Sequence, residues 1–170
     1  MRKVFSSHQE VAEVWARQGQ TAGRAGNIFF EGETIYSYGY HFPIARIEGK
    51  NCLYTTRSNS NSTAKHKSIA LRAIPSFCKV VCVENPVDND ISIINRNIKT
   101  LRETIETLKG KASRARNKKE YYLSWVADKE KNLAEYCELR GIGLPKEETE
   151  QPNLFVGISG FSGATGATGN

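Results

Sequence analysis

The chain has 170 residues, 39% of them hydrophobic, and carries a formal net charge of +6 with a sequence pI near 9.2. That length and apolar content suit one modest core plus an appendage, with no run of about 18 apolar residues to span a membrane and no apolar stretch behind Arg2-Lys3 to make a secretory signal. The basic excess resides in residues 1–140, residues 141–170 being acidic, and it permits binding to polyanions without demanding it.

The first predicted element is a helix from about Ser7 to Gln18. Ser7 is its cap, Glu10 lies at capping-box spacing, and Val11, Val14 and Trp15 form an apolar stripe. Gly19, Gly23 and Gly26 then read as a flexible polar loop. Ile28 to Phe30 and Thr34 to Tyr38 flank Glu31-Gly32-Glu33, the signature of a β-hairpin. A third strand is expected at Phe42 to Ile47 and a fourth at Cys52 to Thr56, across the turn Glu48-Gly49-Lys50-Asn51. The polar stretch Arg57 to Thr63 opens a helix at about Ala64 to Ile74, stopped by Pro75. Phe77 to Val83 is a further strand of the same sheet.

Ile91, Ile94, Ile98, Leu101, Ile105 and Leu108 then repeat at alternating spacings of three and four, an a/d heptad seam. A second long helix is expected from about Lys119 to Arg140, with Tyr122, Val126, Leu133 and Tyr136 or Cys137 as its stripe and Gly141, Gly143 and Pro145 as its stop. Two readings of the seam stand: pairing with that second helix, which the short connection favours, or homo-oligomerisation. Beyond it, Gly157, Gly160, Gly163, Gly166 and Gly169 recur every third residue, the G-x-y period of collagen. A disordered tail, a remnant of a longer repeat and a trimer-guided assembly all fit so short a run.

The expected fold is therefore α+β: a small antiparallel or mixed sheet with two flanking helices, followed by a long antiparallel helical hairpin. The expected units are an α+β domain at 1–87, a helical hairpin at 88–143 and a flexible tail at 144–170.

Two segments carry candidate chemistry. Tyr36, Tyr38 and His41 follow a strand, and Arg57, Ser58, Ser60, Thr63, Lys65 and His66 surround a helix start. Free backbone N–H groups with hydroxyls and cations beside them suit an anion or small ligand, and the histidines suit acid–base work on a phosphate or nucleotide. The alternative is a solvated helix cap. The second segment is Lys109, Lys111, Arg114, Arg116, Lys118 and Lys119, with no acid among them, at the expected hairpin end. It suits the phosphates of a nucleic acid or an acidic partner; the alternative is a solvated helix end. The cysteines Cys52, Cys78, Cys82 and Cys137 have neither metal-ligand nor disulfide-framework spacing, so reduced, partly buried thiols and no metal are expected. The Walker, H-E-x-x-H and G-x-S-x-G patterns are lacking. A binding protein without cofactor is expected rather than an enzyme.

Val4 to His8 with Val11-Ala12 and Trp15-Ala16, Thr34 to Gly39, His41 to Ala45, and Leu53, Thr55-Thr56, Ser58, Thr63, Lys65 and His66 together resemble a family of small uncharacterised bacteriophage proteins. The likeness covers about residues 1–85, and Gly157 to Gly163 is similar to the glycine-serine repeats of some phage gene products. The resemblance implies a viral accessory protein in the cytoplasm of a bacterial host, with a host-takeover or counter-defence role, or else a minor virion component. It assigns no catalytic residue.

Overall fold

A computed structural model describes residues 1–144 of the chain; the glycine period from Gly157 to Gly169 lies outside the described residues. The first element is α1 (His8–Arg17). The Ser7 hydroxyl accepts from the Glu10 N–H at 3.1 Å, as the spacing predicts. The return arm is shifted by one residue: the Glu10 carboxylate accepts from the backbone N–H and hydroxyl of Ser6, at 3.1 and 2.9 Å.

Six strands follow in one sheet, in sequence order: β1 (Ala22–Ala25), β2 (Ile28–Glu31), β3 (Thr34–Ser37), β4 (Pro43–Glu48), β5 (Asn51–Thr55) and β6 (Lys79–Val83). The first five pair antiparallel through short turns, and β5 pairs parallel with β6, the crossover being α2 (Asn61–Ala73). The sheet is thus mixed. β1 corrects the expectation of a loop over Gly19 to Gly26. Gly23 is there because a Cβ at that position would lie 2.5 Å from the Phe30 ring and 2.6 Å from the Phe5 ring, so the glycine marks close approach and not looseness. α2 starts three residues earlier than expected because the Ser60 hydroxyl caps it, accepting from the Thr63 N–H at 3.2 Å. β6 starts later than Phe77 because a turn intervenes, the Cys78 N–H donating to the Pro75 carbonyl.

Both sheet edges are covered, which blocks edge-to-edge pairing. Along β1, the Arg24 N–H donates to the Lys3 carbonyl and the Phe5 N–H to the Arg24 carbonyl, both at 2.8 Å. Along β6, the side-chain amide of Asn132 takes the place of a neighbouring strand. It accepts from the Cys82 N–H and donates to the Cys82 carbonyl, each at 2.7 Å. Asn132 belongs to α4 (Lys119–Leu139), which follows α3 (Ile91–Arg114) after a four-residue connection.

Strand alternation sends side chains to two faces. On one, α1 and α2 bury Val11, Trp15 and Ala70 against Ile28, Phe30, Ile35 and Ile47. On the other, α3 and α4 cover the β5–β6 half, packing Ile98, Leu101, Ile105, Leu108, Val126 and Leu133 with Leu53, Val81 and Val83. Four of the six heptad positions are therefore occupied within the chain, Ile94 is half-buried and Ile91 is exposed. Those four share one apolar cluster with residues of α4 and of the sheet.

A buried polar network ties the helices to the sheet. Asp88, its side chain 1% exposed, accepts from the Tyr136 hydroxyl at 2.5 Å and, at both oxygens, from the Arg140 guanidinium at 2.6 and 2.7 Å. Arg140 also donates to both oxygens of Glu48, at 2.9 and 3.1 Å. The Asn97 amide donates to the Tyr136 hydroxyl and to the Asn85 carbonyl and accepts from the Asn85 N–H. Burial and the bond to Asp88 hold the Tyr136 phenol up, in its protonated form, against the opposing bond from Asn97. At Arg140 burial works against the charge, but the bonds to Asp88 and Glu48 outweigh it and raise the pKa. None of the described buried side-chain polar atoms is left without a partner.

Candidate anion-binding site

The residues expected around the start of α2 do not all converge. Strand alternation puts Tyr36 on the face away from α1 and α2. There it stacks on Phe29 with ring centroids 5.1 Å apart, and Tyr40 packs edge-on against both. Arg24 lies over the same Phe29 ring at 5.0 Å. The next residue, Ser37, faces the other way and is fully buried. Its hydroxyl lies 2.7 Å from His66 Nδ1, and His66 is 4% exposed. His8 meets the His66 ring edge-on at 4.8 Å, and the Tyr38 ring lies 5.6 Å away. Tyr38 holds a left-handed backbone, φ 65°, uncommon for a tyrosine. Its hydroxyl donates to Ser62 at 2.8 Å, and Ser62 is in turn 3.1 Å from the Ser60 hydroxyl.

His41 stands apart from this cluster. Its ring lies over Gly39, and its carbonyl accepts from Arg57 at 3.2 Å. Arg57 lies over the Phe42 ring at 4.9 Å, and its own carbonyl accepts from Lys67. Ser58 and Lys65 are exposed and Thr63 is buried. Of the expected set, Tyr38, Ser60, Thr63 and His66 are brought together, joined by Ser37, Ser62 and His8, which the sequence did not single out. Ser37 was findable from strand alternation, since it is the inward neighbour of Tyr36. His8 had no local signal.

A serine and a histidine 2.7 Å apart is the geometry of a nucleophile and its base. Here, however, the Ser37 residue exposes no surface to a substrate. The pair joins β3 to α2. Burial, and secondarily the neighbouring His8, pulls the His66 pKa below its usual 6.5, so the folded protein favours the neutral ring. A depressed pKa of this kind contributes stability above the unfolded value and loses it as the pH falls through the folded one. Thermal stability is therefore expected to fall as the pH drops below about 6.5, and His66→Gln is expected to flatten that part of the profile in calorimetry. An unchanged acid limb in the variant would remove the assignment.

The basic segment runs from the end of α3, where Lys109, Lys111 and Arg114 lie, across the connection with Arg116 and Lys118, to Lys119 at the start of α4. Lys109 corrects the expectation that the whole run is unopposed. Its ammonium is 3.3 Å from Glu130 and 3.5 Å from Glu106, and these pairings, Glu130 foremost, raise its pKa. Lys111, Arg114, Arg116, Lys118 and Lys119 are exposed, and among the described residues no carboxylate lies within 4 Å of them. Lys111 and Arg114 occupy the last turn of α3, where cations oppose the exposed carbonyls.

Topology places this segment and the α2 start at one end of the molecule. Asn132 of α4 is bonded to Cys82, and Glu135 pairs with Lys79 at 3.0 Å. α4 therefore runs opposite to β6, and its first turns lie beyond the carboxyl end of β6. The loop to α2 leaves from the same end, the Thr56 N–H donating to the Val83 carbonyl. Carboxyl ends of parallel strands are where open α/β sheets place ligand sites.

Among the described residues no group of three metal-ligating side chains forms, and no helix is long and apolar enough to cross a membrane. The cysteines are all free. Burial pushes the Cys52 thiol up to about 12, which leaves it an unreactive apolar group. What fold and site define is an α+β protein with a mixed six-stranded sheet and a cationic end. Comparison with family models, with curated proteins and with solved structures gave no match.

Proposed function

We propose that the protein is a non-enzymatic nucleic-acid-binding protein of bacteriophage origin, acting in the cytoplasm of the bacterial host. Its contacts come from the end of α3 and α4, read as an antiparallel hairpin. That reading is supported by two contacts: Asn97 near the start of α3 meets Tyr136 near the end of α4, and Lys109 near the end of α3 meets Glu130. The single observation that carries the function is the set of five exposed cations, from the last turn of α3 to the first residue of α4, that have no carboxylate partner among the described residues. Cations left uncompensated gain most from phosphates, because each contact releases a condensed counterion. Arg57 and Lys65, at the same end, extend the positive surface.

The test is an anisotropy titration of the full chain with labelled oligonucleotides over a range of salt. Five phosphate contacts predict a slope of log K against log salt of roughly −3.5 on a single strand and roughly −4.5 on a duplex. No binding to either form at low salt would exclude nucleic acid and leave an acidic host protein as the partner class.

A further inference from the structure

We infer that Tyr121 and Trp125 form a base-stacking platform, so that the ligand of the cationic end is single-stranded nucleic acid. This rests on the nucleic-acid reading above and specifies which form is bound.

α4 carries two aromatic residues it does not bury. Tyr121 is 51% and Trp125 44% exposed, and their ring centroids are 4.6 Å apart. They are four residues apart and share one helix stripe. Continued toward the carboxyl end, that stripe reaches Asn132, where it lands on the β6 edge. Continued toward the amino end, it reaches Lys118 at the head of the helix. Trp125 lies seven residues before Asn132, about 10 Å along the axis. The two rings therefore sit where α4 has passed the carboxyl end of β6. The adjacent stripe of the same turns, with Val126 buried and Tyr122 half-buried, is the one that packs inward.

The occupant follows from charge and shape. Lys118 and Lys119 lie just before the rings, with exposed Glu120 between them and Tyr121, and Lys111, Arg114 and Arg116 complete a cationic surface; among the described residues no carboxylate lies within 4 Å of these five cations. That surface calls for a polyanion. A duplex presents phosphates but hides its base faces, and would leave both rings unused. A single strand presents phosphates and unstacked bases together, and cationic grooves beside aromatic side chains are how such strands are held without sequence preference. A lipid surface needs a broad apolar face. Leu123, the other exposed apolar residue of these turns, projects from the opposite side of the helix, and Asp128 and Lys131 are exposed on the turns that follow.

The chain supplies its own reporter. It has two tryptophans, and Trp15 is fully buried, so quenching of the accessible fluorescence reads Trp125. The full chain is titrated at low salt with a short oligothymidylate, with a hairpin duplex and with phosphatidylglycerol vesicles. The oligothymidylate is expected to quench Trp125, and Trp125→Ala to weaken single-strand binding about 10-fold while leaving duplex binding unaltered. A Trp125→Phe variant, which keeps a stacking face, is expected to recover most of the loss. If Trp125→Ala leaves single-strand affinity unchanged while both forms still bind, stacking is refuted and the nucleic-acid reading stands. If neither form binds, both readings fall. If only the vesicles alter Trp125 fluorescence, the platform is a lipid contact and the inference is overturned.

Discussion

Replacing Lys111, Arg114, Arg116, Lys118 and Lys119 together by glutamine is expected to weaken nucleic-acid binding by roughly 100-fold or more at low salt and to bring its salt slope close to zero. The affinity of such a site is largely counterion release, so removing the charges removes the driving force and its salt dependence together. The fold is expected to survive. All five side chains are exposed and none pairs with a carboxylate among the described residues, and surface changes of this kind stay within about 0.5 kcal/mol each. Circular dichroism and thermal melts of the variant supply that control. Lys109→Gln alone is expected to change affinity much less, because Glu106 and Glu130 already occupy its charge. A variant lacking the five cations that kept the wild-type slope would place the phosphate contacts elsewhere, Arg57 and Lys65 being the next surface to change.

Asp88→Ala is expected to destabilise the protein by about 3–5 kcal/mol, the range for removing one member of a buried ion pair. The cost arises in what remains. Arg140 keeps Glu48 but loses two bonds and stays partly buried, and the fully buried Tyr136 hydroxyl loses its acceptor. The Arg46 guanidinium, 3.6 Å from Asp88 and from Glu48, loses part of its compensation as well. For a chain of this size the loss corresponds to a fall in Tm of roughly 10 °C. Urea or thermal unfolding measures it, and a loss below about 1 kcal/mol would show that the network relaxes around the gap. Asp88 lies at the junction of sheet and helices, so the same substitution is expected to loosen α3 and α4 from the sheet, visible as faster amide exchange at Leu133 and Tyr136.

Much of the local structure was legible in the sequence because its causes are local. Ser7 announced α1 through a hydroxyl that meets a backbone N–H three residues on. Gly32 between two aromatic and β-branched runs announced the β2–β3 hairpin, and the alternating apolar spacing from Ile94 to Leu108 announced α3. β1 was not legible, because the reason for Gly23 is the pair of rings from Phe5 and Phe30. In the candidate site, the loop-and-helix group Ser60, Thr63 and His66 could be read from polar clustering, whereas the placing of Tyr36 on the far face required strand register. Ser37 and His66 are 29 residues apart and Asp88 and Arg140 are 52 apart. No window of sequence contains either pair.

The sequence by itself determined the helices, the hairpin strands, the Ser7 cap of α1 and the position of the cationic run, since each depends on periodicity or on a bond spanning a few residues. Tertiary structure alone decided which of the six cations is neutralised, that α3 and α4 lie on β5 and β6, and that Tyr121 and Trp125 lie past the end of the sheet. These outcomes depend on which surfaces meet. Contact between distant segments follows from the competition of whole faces for burial, and a residue's own neighbours in the chain carry no record of it.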